Sequence, residues 1–105
     1  MNLLAILVEF LKGEGSPEIR STAATSLATM EIPSVSTIET LMNTLEDRSE
    51  DVRYGALSTL EDYLIMADKG SPIQQRIHSG FIKKFTGNNL SEDIRKDVQE
   101  IINSR

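Results

Sequence analysis

The sequence predicts an all-α fold of three antiparallel helical hairpins, which amounts to six helices. The first observation is a phrase that occurs three times, as SPEIR at residues 16–20, SEDVR at 49–53 and SEDIR at 91–95. In each copy a serine that can cap free N–H groups precedes acids favoured by the positive end of the helix dipole. The second observation is an apolar helical pattern before and after each copy. A hairpin used three times is typical of a stacked repeat array.

Length and composition favour one domain over residues 1–105, with hairpins at about 2–30, 34–68 and 71–103. Only five aromatic residues occur and tryptophan is absent, so the core must come from aliphatic residues and methionine. Cysteine is absent as well, which excludes disulfides, thiolate metal sites and cysteine nucleophiles. This composition is compatible with a reducing compartment, and we expect a cytoplasmic protein.

The first hairpin is predicted to begin with a mostly buried helix at about residues 2–12. Its apolar run lacks the basic flank of a signal peptide and is interrupted by an acid. Ser16 and Pro17 then start a second helix, with proline at the first helical position, where its missing N–H costs nothing. On that helix Ile19, Ala23 and Leu27 are expected to point inward, and Ala23, Ala24 and Ala28 to let a neighbouring helix approach closely.

The second and third hairpins show the same alternation of break and helix. A break at residues 32–34 precedes the third predicted helix, and a Gly-Ser-Pro sequence at 70–72 precedes the fifth. Apolar spacing near 3.6 assigns the inward residues of the four remaining helices. They are Ile38, Leu41, Met42 and Leu45; Val52, Ala56, Leu57, Leu60, Tyr63, Leu64 and Ala67; Ile73, Ile77, Phe81, Ile82 and Phe85; and Ile94, Val98, Ile101 and Ile102.

Residues 36–64 resemble a HEAT-like repeat of the armadillo type. One helix ends in LED at residues 45–47, a turn follows with SED at 49–51, and the next helix begins VRYGAL at 52–57. The resemblance extends over nearly the whole chain. It implies a right-handed superhelix in which the second helix of each hairpin lines the concave side.

The resemblance also implies a ladder of polar contacts between successive repeats. In that family an aspartate that ends the first helix and an arginine in the second form the ladder, which assigns Asp47 and Arg53. Arg20 and Arg95 match the arginine, but the turns before them offer glutamate or asparagine where an aspartate is expected. The predicted repeat-stacking residues are therefore Asp47, Arg20, Arg53 and Arg95.

The implied concave side selects a candidate binding surface. Steps of 100° from the inward residues of the fourth predicted helix lead to an acidic opposite side that also carries a tyrosine. Tyrosine is frequent at binding hot spots because it offers a large contact area at little entropic cost. The predicted partner-binding residues are Asp51, Tyr54, Ser58, Glu61 and Asp62, with Glu18 and Ser21 on the second helix and Lys96 on the sixth; Asp93 and Glu100 occupy equivalent positions.

Charge is unevenly placed along the chain. The net charge is −5; residues 1–68 hold twelve acids and four bases, whereas residues 69–105 hold four acids and seven bases. One interpretation is that the acidic residues 1–68 attract a basic protein partner. The other is that the uneven surface charge arises by chance and serves only solubility. Arg76, Lys83 and Lys84 form a basic cluster that is either a hydrated edge or a complementary end for weak self-association. Excess acid argues against nucleic-acid binding.

Few side chains suggest reaction chemistry. His78 is the sole histidine, and no motif pairs it with a nucleophile or an acid, so no catalytic residue is predicted. Asp51, Glu61 and Asp62 lack the spacing of a calcium loop, and no metal or other cofactor is expected. No apolar run approaches the roughly 20 residues that cross a bilayer, so no membrane contact is expected.

These observations predict a non-catalytic protein-binding module, and our first hypothesis for its role is inhibition. In size, charge and fold the chain resembles bacterial immunity proteins, which neutralise a toxin, often a cationic nuclease, by covering its active site. One alternative is a scaffold or regulatory subunit of a larger complex. Another is an accessory protein of the bilin-lyase kind found among HEAT-like proteins.

Overall fold

A computed structural model describes residues 16–26, 34–87 and 89–104. Within these ranges the chain forms five α-helices and no strand, so the predicted all-α class is confirmed. The first predicted helix, at about 2–12, lies outside the described residues, as do Leu27 and Ala28. The helices are α1 (Pro17–Ser26), α2 (Val35–Thr44), α3 (Glu50–Met66), α4 (Pro72–Thr86) and α5 (Glu92–Ser104).

Polar side chains mark the helix starts, although the repeated serines do not all act alike. The Ser16 hydroxyl accepts the Ile19 N–H at 3.3 Å, as a capping serine should. Ser49 makes no such bond, and its own N–H donates to the Asp47 carboxylate at 2.9 Å. Ser91 donates its hydroxyl to Asp93. At the third phrase the Asp93 carboxylate also accepts the Ile94 N–H at 2.8 Å, so a carboxylate contributes to the hydrogen bonding at this helix start.

The described helices form two layers, with α3 at the centre. α1, α3 and α5 lie side by side in one layer, while α2 and α4 lie side by side in the other. The apolar core fills the space between the layers. Its fully buried members include Ile38, Leu41, Leu45, Leu60, Leu64, Ile77, Phe81, Ile94 and Val98, all of which the apolar spacing had assigned to the interior.

α1 and α3 approach closely because small residues meet at their contact. A Cβ placed on Gly55 would lie 3.4 Å from the Ala24 Cβ and 3.4 Å from the Ser21 carbonyl oxygen. The buried Thr59 hydroxyl donates to the Ala24 carbonyl at 2.6 Å. Ala23 and Ala24 are both buried, which confirms the close approach predicted from these two alanines.

Two residues predicted to point inward are instead exposed. Ile19 is 43% exposed and Ile82 is 41% exposed, so both assignments are wrong. On α4 the buried stripe consists of Ile77 and Phe81, and Ile82 lies one helical step of 100° beyond its edge. Val52 and Ile94, which occupy the same place as Ile19 in the other two phrases, are fully buried as predicted.

On α1 the buried position next to Ile19 belongs to Arg20. Its side chain is fully buried, together with Ala23 and Ala24, on the side that faces α3. A charged group can occupy that position because the Asp47 carboxylate pairs with it there. The apolar pattern alone therefore selected Ile19 where Arg20 is the inward residue, whereas Ala23 is buried as predicted.

Candidate partner-binding face

The outer side of α3 carries the predicted partner-binding residues. Asp51, Ser58 and Asp62 are exposed, Tyr54 is 36% exposed and Glu61 is half-buried. Val52, Ala56 and Leu60 are fully buried on the opposite side of the same helix. Ile65 and Met66 extend the outer side with exposed apolar surface at the helix end.

α1 adjoins this side of α3 at the start of the helix. The half-buried Ser21 donates its hydroxyl to the Asp51 carbonyl oxygen at 3.4 Å. Glu18, one turn earlier on α1, is exposed. The structure thus brings Ser21 together with Asp51, as a shared face requires.

α5 adjoins the other side of α3, where Tyr54 meets two carboxylates. Partial burial, followed by the charges of Asp93 and Asp97, raises the pKa of Tyr54. The hydrogen bond from Ser91 lowers the pKa of Asp93, and the Arg53 charge lowers it further. Tyr54 is therefore neutral at physiological pH, with an aromatic ring beside fixed negative charge, an arrangement that suits a cationic side chain.

A groove of about 410 Å³ lies between α3 and α5. Glu61 borders it from α3, and α5 contributes Asp97, Glu100, Ile101 and Ser104. Three carboxylates thus surround a space that no described lysine or arginine borders. Such a space favours a positively charged ligand.

On α5, the residue that the sequence analysis selected and the residue that borders this groove are different. Lys96 is exposed on α5 but does not border the groove. Asp97 does border it, and the sequence analysis missed that residue. The signal was available, because Asp93, Asp97 and Glu100 are spaced i, i+4 and i+7 and therefore share one side of a helix.

The predicted repeat-stacking residues make contacts between elements, but not all in the expected pairs. Arg20 donates from Nε to Asp47 Oδ2 and from Nη2 to Asp47 Oδ1, both at 3.1 Å. The Asp47 carboxylate therefore pairs with the arginine of the preceding phrase. Arg53 donates to the Asp47 backbone oxygen at 3.1 Å and lies 3.7 Å from the Asp93 carboxylate.

Arg95 belongs to α5 and reaches back to the end of α4. It donates from Nη1 to the Phe85 carbonyl at 2.8 Å, and its guanidinium carbon lies 4.1 Å from the centre of the Phe85 ring. The three arginines thus occupy equivalent sequence positions, but Arg53 and Arg95 donate to a backbone carbonyl near the end of the preceding helix, whereas Arg20 donates to the Asp47 carboxylate. That all four residues stack repeats remains a prediction.

The basic cluster of α4 lies apart from the acidic face. Arg76, Lys83 and Lys84 border a larger groove between α2 and α4, in the other helix layer. Lys69 is exposed in the turn before α4. The sequence analysis found the cluster but not the groove beside it.

The described residues include no group of three or more histidine, cysteine or acidic side chains placed to hold a metal ion. His78 is half-buried, and its Nε2 atom has no hydrogen-bond partner in the described ranges. None of the described helices has the length and apolarity needed to cross a membrane.

Comparison with known protein families gives a match in the N-terminal part of the chain. A family model of HEAT repeats matches residues 4–73, which is two thirds of the 105 residues. No curated protein and no solved structure matches the chain. The matched region includes α1, α2 and α3 and the contacts that join them.

Proposed function

Because the chain belongs to the HEAT repeat family, whose members generally mediate protein–protein interactions, we propose that its acidic face binds a basic protein. We define the acidic face as the outer surface of α3 with the adjoining parts of α1 and α5. Members of this family are typically non-catalytic, and the proposed activity is binding without chemistry.

The observation that carries the proposal is the carboxylate-lined groove next to Tyr54. Glu61, Asp97 and Glu100 surround the groove, and Tyr54 lies beside Asp93 on the same side of α3. Carboxylates steer a basic partner and speed its association, whereas a partly exposed tyrosine contributes contact area that slows dissociation. A lysine or arginine of the partner would complement the negative charge of this groove.

The finer proposal is that binding inhibits the partner. An acidic inhibitor or immunity-type protein covers a basic site, such as the active site of a nuclease toxin. The separation of negative charge onto α3 and α5 supports this role, since α3 holds four acids and one base and α5 holds four acids and two bases. We place the interaction in the cytoplasm, in keeping with the absence of cysteine.

The architecture that we propose for this function is a single domain over residues 1–105. Three hairpins at about 2–30, 34–68 and 71–103 would form a short right-handed superhelix of six helices. The two layers of described helices support this arrangement, with α1, α3 and α5 as the second helices of their hairpins. The acidic face would then be concave.

A scaffold or regulatory subunit is the second candidate function. The observation that favours it is the separate groove on α2 and α4, whose charge is opposite to that of the acidic face. A protein with two unlike surfaces can hold two partners at once. Inhibition and scaffolding are distinguished by the activity of the bound partner.

The test compares two double variants that change net charge equally. Glu61→Lys with Asp62→Lys alters the acidic face, whereas Glu39→Lys with Asp68→Lys alters exposed carboxylates elsewhere. The partner is captured from extract of the native host with the unmodified chain, and its affinity for all three proteins is measured. We expect the first variant, and not the second, to bind the partner with at least tenfold lower affinity. We also expect the affinity of the unmodified chain to fall as the salt concentration rises.

Equal affinity of the first variant, or affinity independent of salt, would overturn the acidic-face proposal. If the captured partner is an enzyme, its activity is measured at equimolar complex. Loss of activity supports inhibition, and full activity in the complex supports scaffolding.

A further inference from the structure

The groove between α2 and α4 is a surface that the proposed function does not use. Its volume is about 1,000 Å³, and it runs along two neighbouring helices. Val35, Pro72 and Ile73 lie at one end, and Glu46 and Lys84 lie at the other. The fifteen residues of α4 span about 22 Å, the length of a helix of about fourteen residues.

The floor of this groove is apolar. Ile38 and Met42 are buried there, and Ile73 is partly buried against the core. A Cβ on Gly80 would lie 2.7 Å from the Met42 Cε, so the glycine leaves space for the methionine to lie against α4. Val35, which is 45% exposed, adds apolar surface that a ligand can cover.

The α4 edge of the groove carries positive charges that are not all paired with acidic side chains of the fold. α4 contains three bases and no acid. Lys84 is engaged by Glu46 and Asn43 of the α2 side. Arg76 and Lys83 are exposed, and their side chains make no hydrogen bond or ion pair with any described residue. They are seven residues apart, which places them on one side of α4 about 10 Å from each other.

We infer that this groove binds an amphipathic helix of another protein. The bound helix would carry an apolar stripe and, along one edge of that stripe, acidic residues. The apolar stripe would cover the floor, and two acids about two turns apart would pair with Arg76 and Lys83. Glu39 is exposed on the opposite edge and would repel a phosphate backbone or an anionic lipid surface. The charge pattern therefore favours a peptide over a polyanion.

A display library of designed helical 14-residue peptides tests this inference. The apolar stripe is held constant, and the edge positions vary among Glu, Gln and Lys. Selection uses the unmodified chain, an Arg76→Glu with Lys83→Glu variant, and an Arg48→Glu with Lys69→Glu variant as the charge-matched control at exposed positions that border neither groove. Far-UV circular dichroism verifies that all three proteins are folded.

We expect helices with Glu on one edge to be enriched on the unmodified chain and on the control, but not on the Arg76 and Lys83 variant. The affinity of a selected peptide should fall at least tenfold in that variant, and a Val35→Ser variant should weaken it as well. Absence of enrichment, or equal enrichment on all three proteins, would overturn the inference.

Two further probes separate a peptide from a polyanion. One probe is a lipid vesicle in which one third of the lipid is anionic, and the other is a DNA duplex of about 20 base pairs. Binding of each probe to the same three proteins is measured. If Arg76 and Lys83 bind either of these but no peptide, the assigned occupant is wrong. Val35, Arg76 and Lys83 lie outside the acidic face. Failure of this peptide test would therefore leave the proposed binding of a basic partner unaffected, and failure of the basic-partner test would leave the peptide inference unaffected.

Discussion

The two long sides of α3 are packed differently, although each faces a helix that begins with a copy of the same phrase. Towards α1 the contact is closed, since Gly55 meets Ala24 and the buried Thr59 hydroxyl bonds to the Ala24 carbonyl. Towards α5 the helices leave an open groove, bordered by Glu61 and two further carboxylates. One side of α3 therefore holds the fold together, and the other offers a surface to a partner.

The arginines of the phrases show the same difference. Arg20 is fully buried and donates two hydrogen bonds to the Asp47 carboxylate. Arg53 is half-buried and lies 3.7 Å from the Asp93 carboxylate, which is about one third exposed. Arginines at equivalent positions of the phrases therefore contribute unequally to stability. The strength of a charge pair depends on how far water is excluded from it.

The largest effect is expected from Arg20→Ala on the closed side. Removal of the guanidinium leaves the Asp47 carboxylate without its charged partner, and we expect unfolding free energy to fall by about 3–5 kcal/mol. Urea unfolding followed by circular dichroism measures this change. Arg48→Ala, at an exposed position, should alter stability by about 0.5 kcal/mol or less. A loss below about 1 kcal/mol for Arg20→Ala would show that the closed side does not depend on this pair.

The next effect is expected from Gly55→Leu, which pushes α1 away from α3. Ala24 and the Ser21 carbonyl already lie at contact distance from a Cβ at this position, so the added atoms overpack the contact. We expect a loss of about 1–3 kcal/mol in the same unfolding experiment. Gly80→Ala is the comparison variant. There the obstructing atom is the mobile end of Met42, and the gain in helix propensity offsets its displacement. If both variants lose equal stability, the α1 contact is no tighter than the α2–α4 groove.

Arg53→Ala should have a smaller effect, of about 1 kcal/mol. It removes one hydrogen bond to the Asp47 carbonyl and a partly exposed ion pair to Asp93. We expect the melting temperature to fall while affinity for a basic partner changes little. Calorimetry and a binding titration on the same preparation provide both values. Lost affinity at an unchanged melting temperature would instead place Arg53 in the binding site.

The smallest effect concerns the pH dependence of the open side. The hydrogen bond from Ser91 and the charge of Arg53 lower the pKa of Asp93 in the folded chain. A carboxyl whose pKa is lowered by folding adds stability above its unfolded-state pKa, and that stability is lost as pH falls through the folded-state pKa. Between about pH 6 and pH 2.5, the unmodified chain should therefore lose more stability than Asp93→Asn does.

The control for this pH experiment is Asp68→Asn, which removes an exposed carboxylate in the turn before α4. This variant removes the same single charge, so it shows how much of any change in the pH profile comes from net charge alone. Identical pH profiles for the Asp93 variant and the unmodified chain would mean that Asp93 adds no pH-dependent stability to the α3–α5 contact.

Much of the fold could be predicted because it follows from local patterns. Helical spacing identified the large apolar residues that are buried on α2 and α3, and it identified Ile94 and Val98 on α5. It misplaced Ile19, because the periodicity of apolar residues gives no weight to an arginine that finds a carboxylate 27 positions away. Such a pair depends on two elements meeting in space, and no local window contains both.

The candidate site was predicted in part for a similar reason. The helical wheel of α3 identified an exposed acidic side with Tyr54, since both properties belong to a single helix. Asp97 was missed because its importance comes from Glu61 on another helix, across the groove. The groove beside Arg76 and Lys83 was missed because it exists only where α2 and α4 lie next to each other.

By itself, the amino-acid sequence determined the helical class, the family, the positions where helices begin and the division of charge among them. These properties arise from backbone hydrogen bonding, capping and side-chain periodicity within about twenty residues. Only the tertiary structure decided which arginine pairs with Asp47, which side of α3 is closed and which is open, and where a groove remains. Those outcomes depend on how closely distant helices pack, and that distance is set by side chains such as Gly55 and Ala24 meeting across the core.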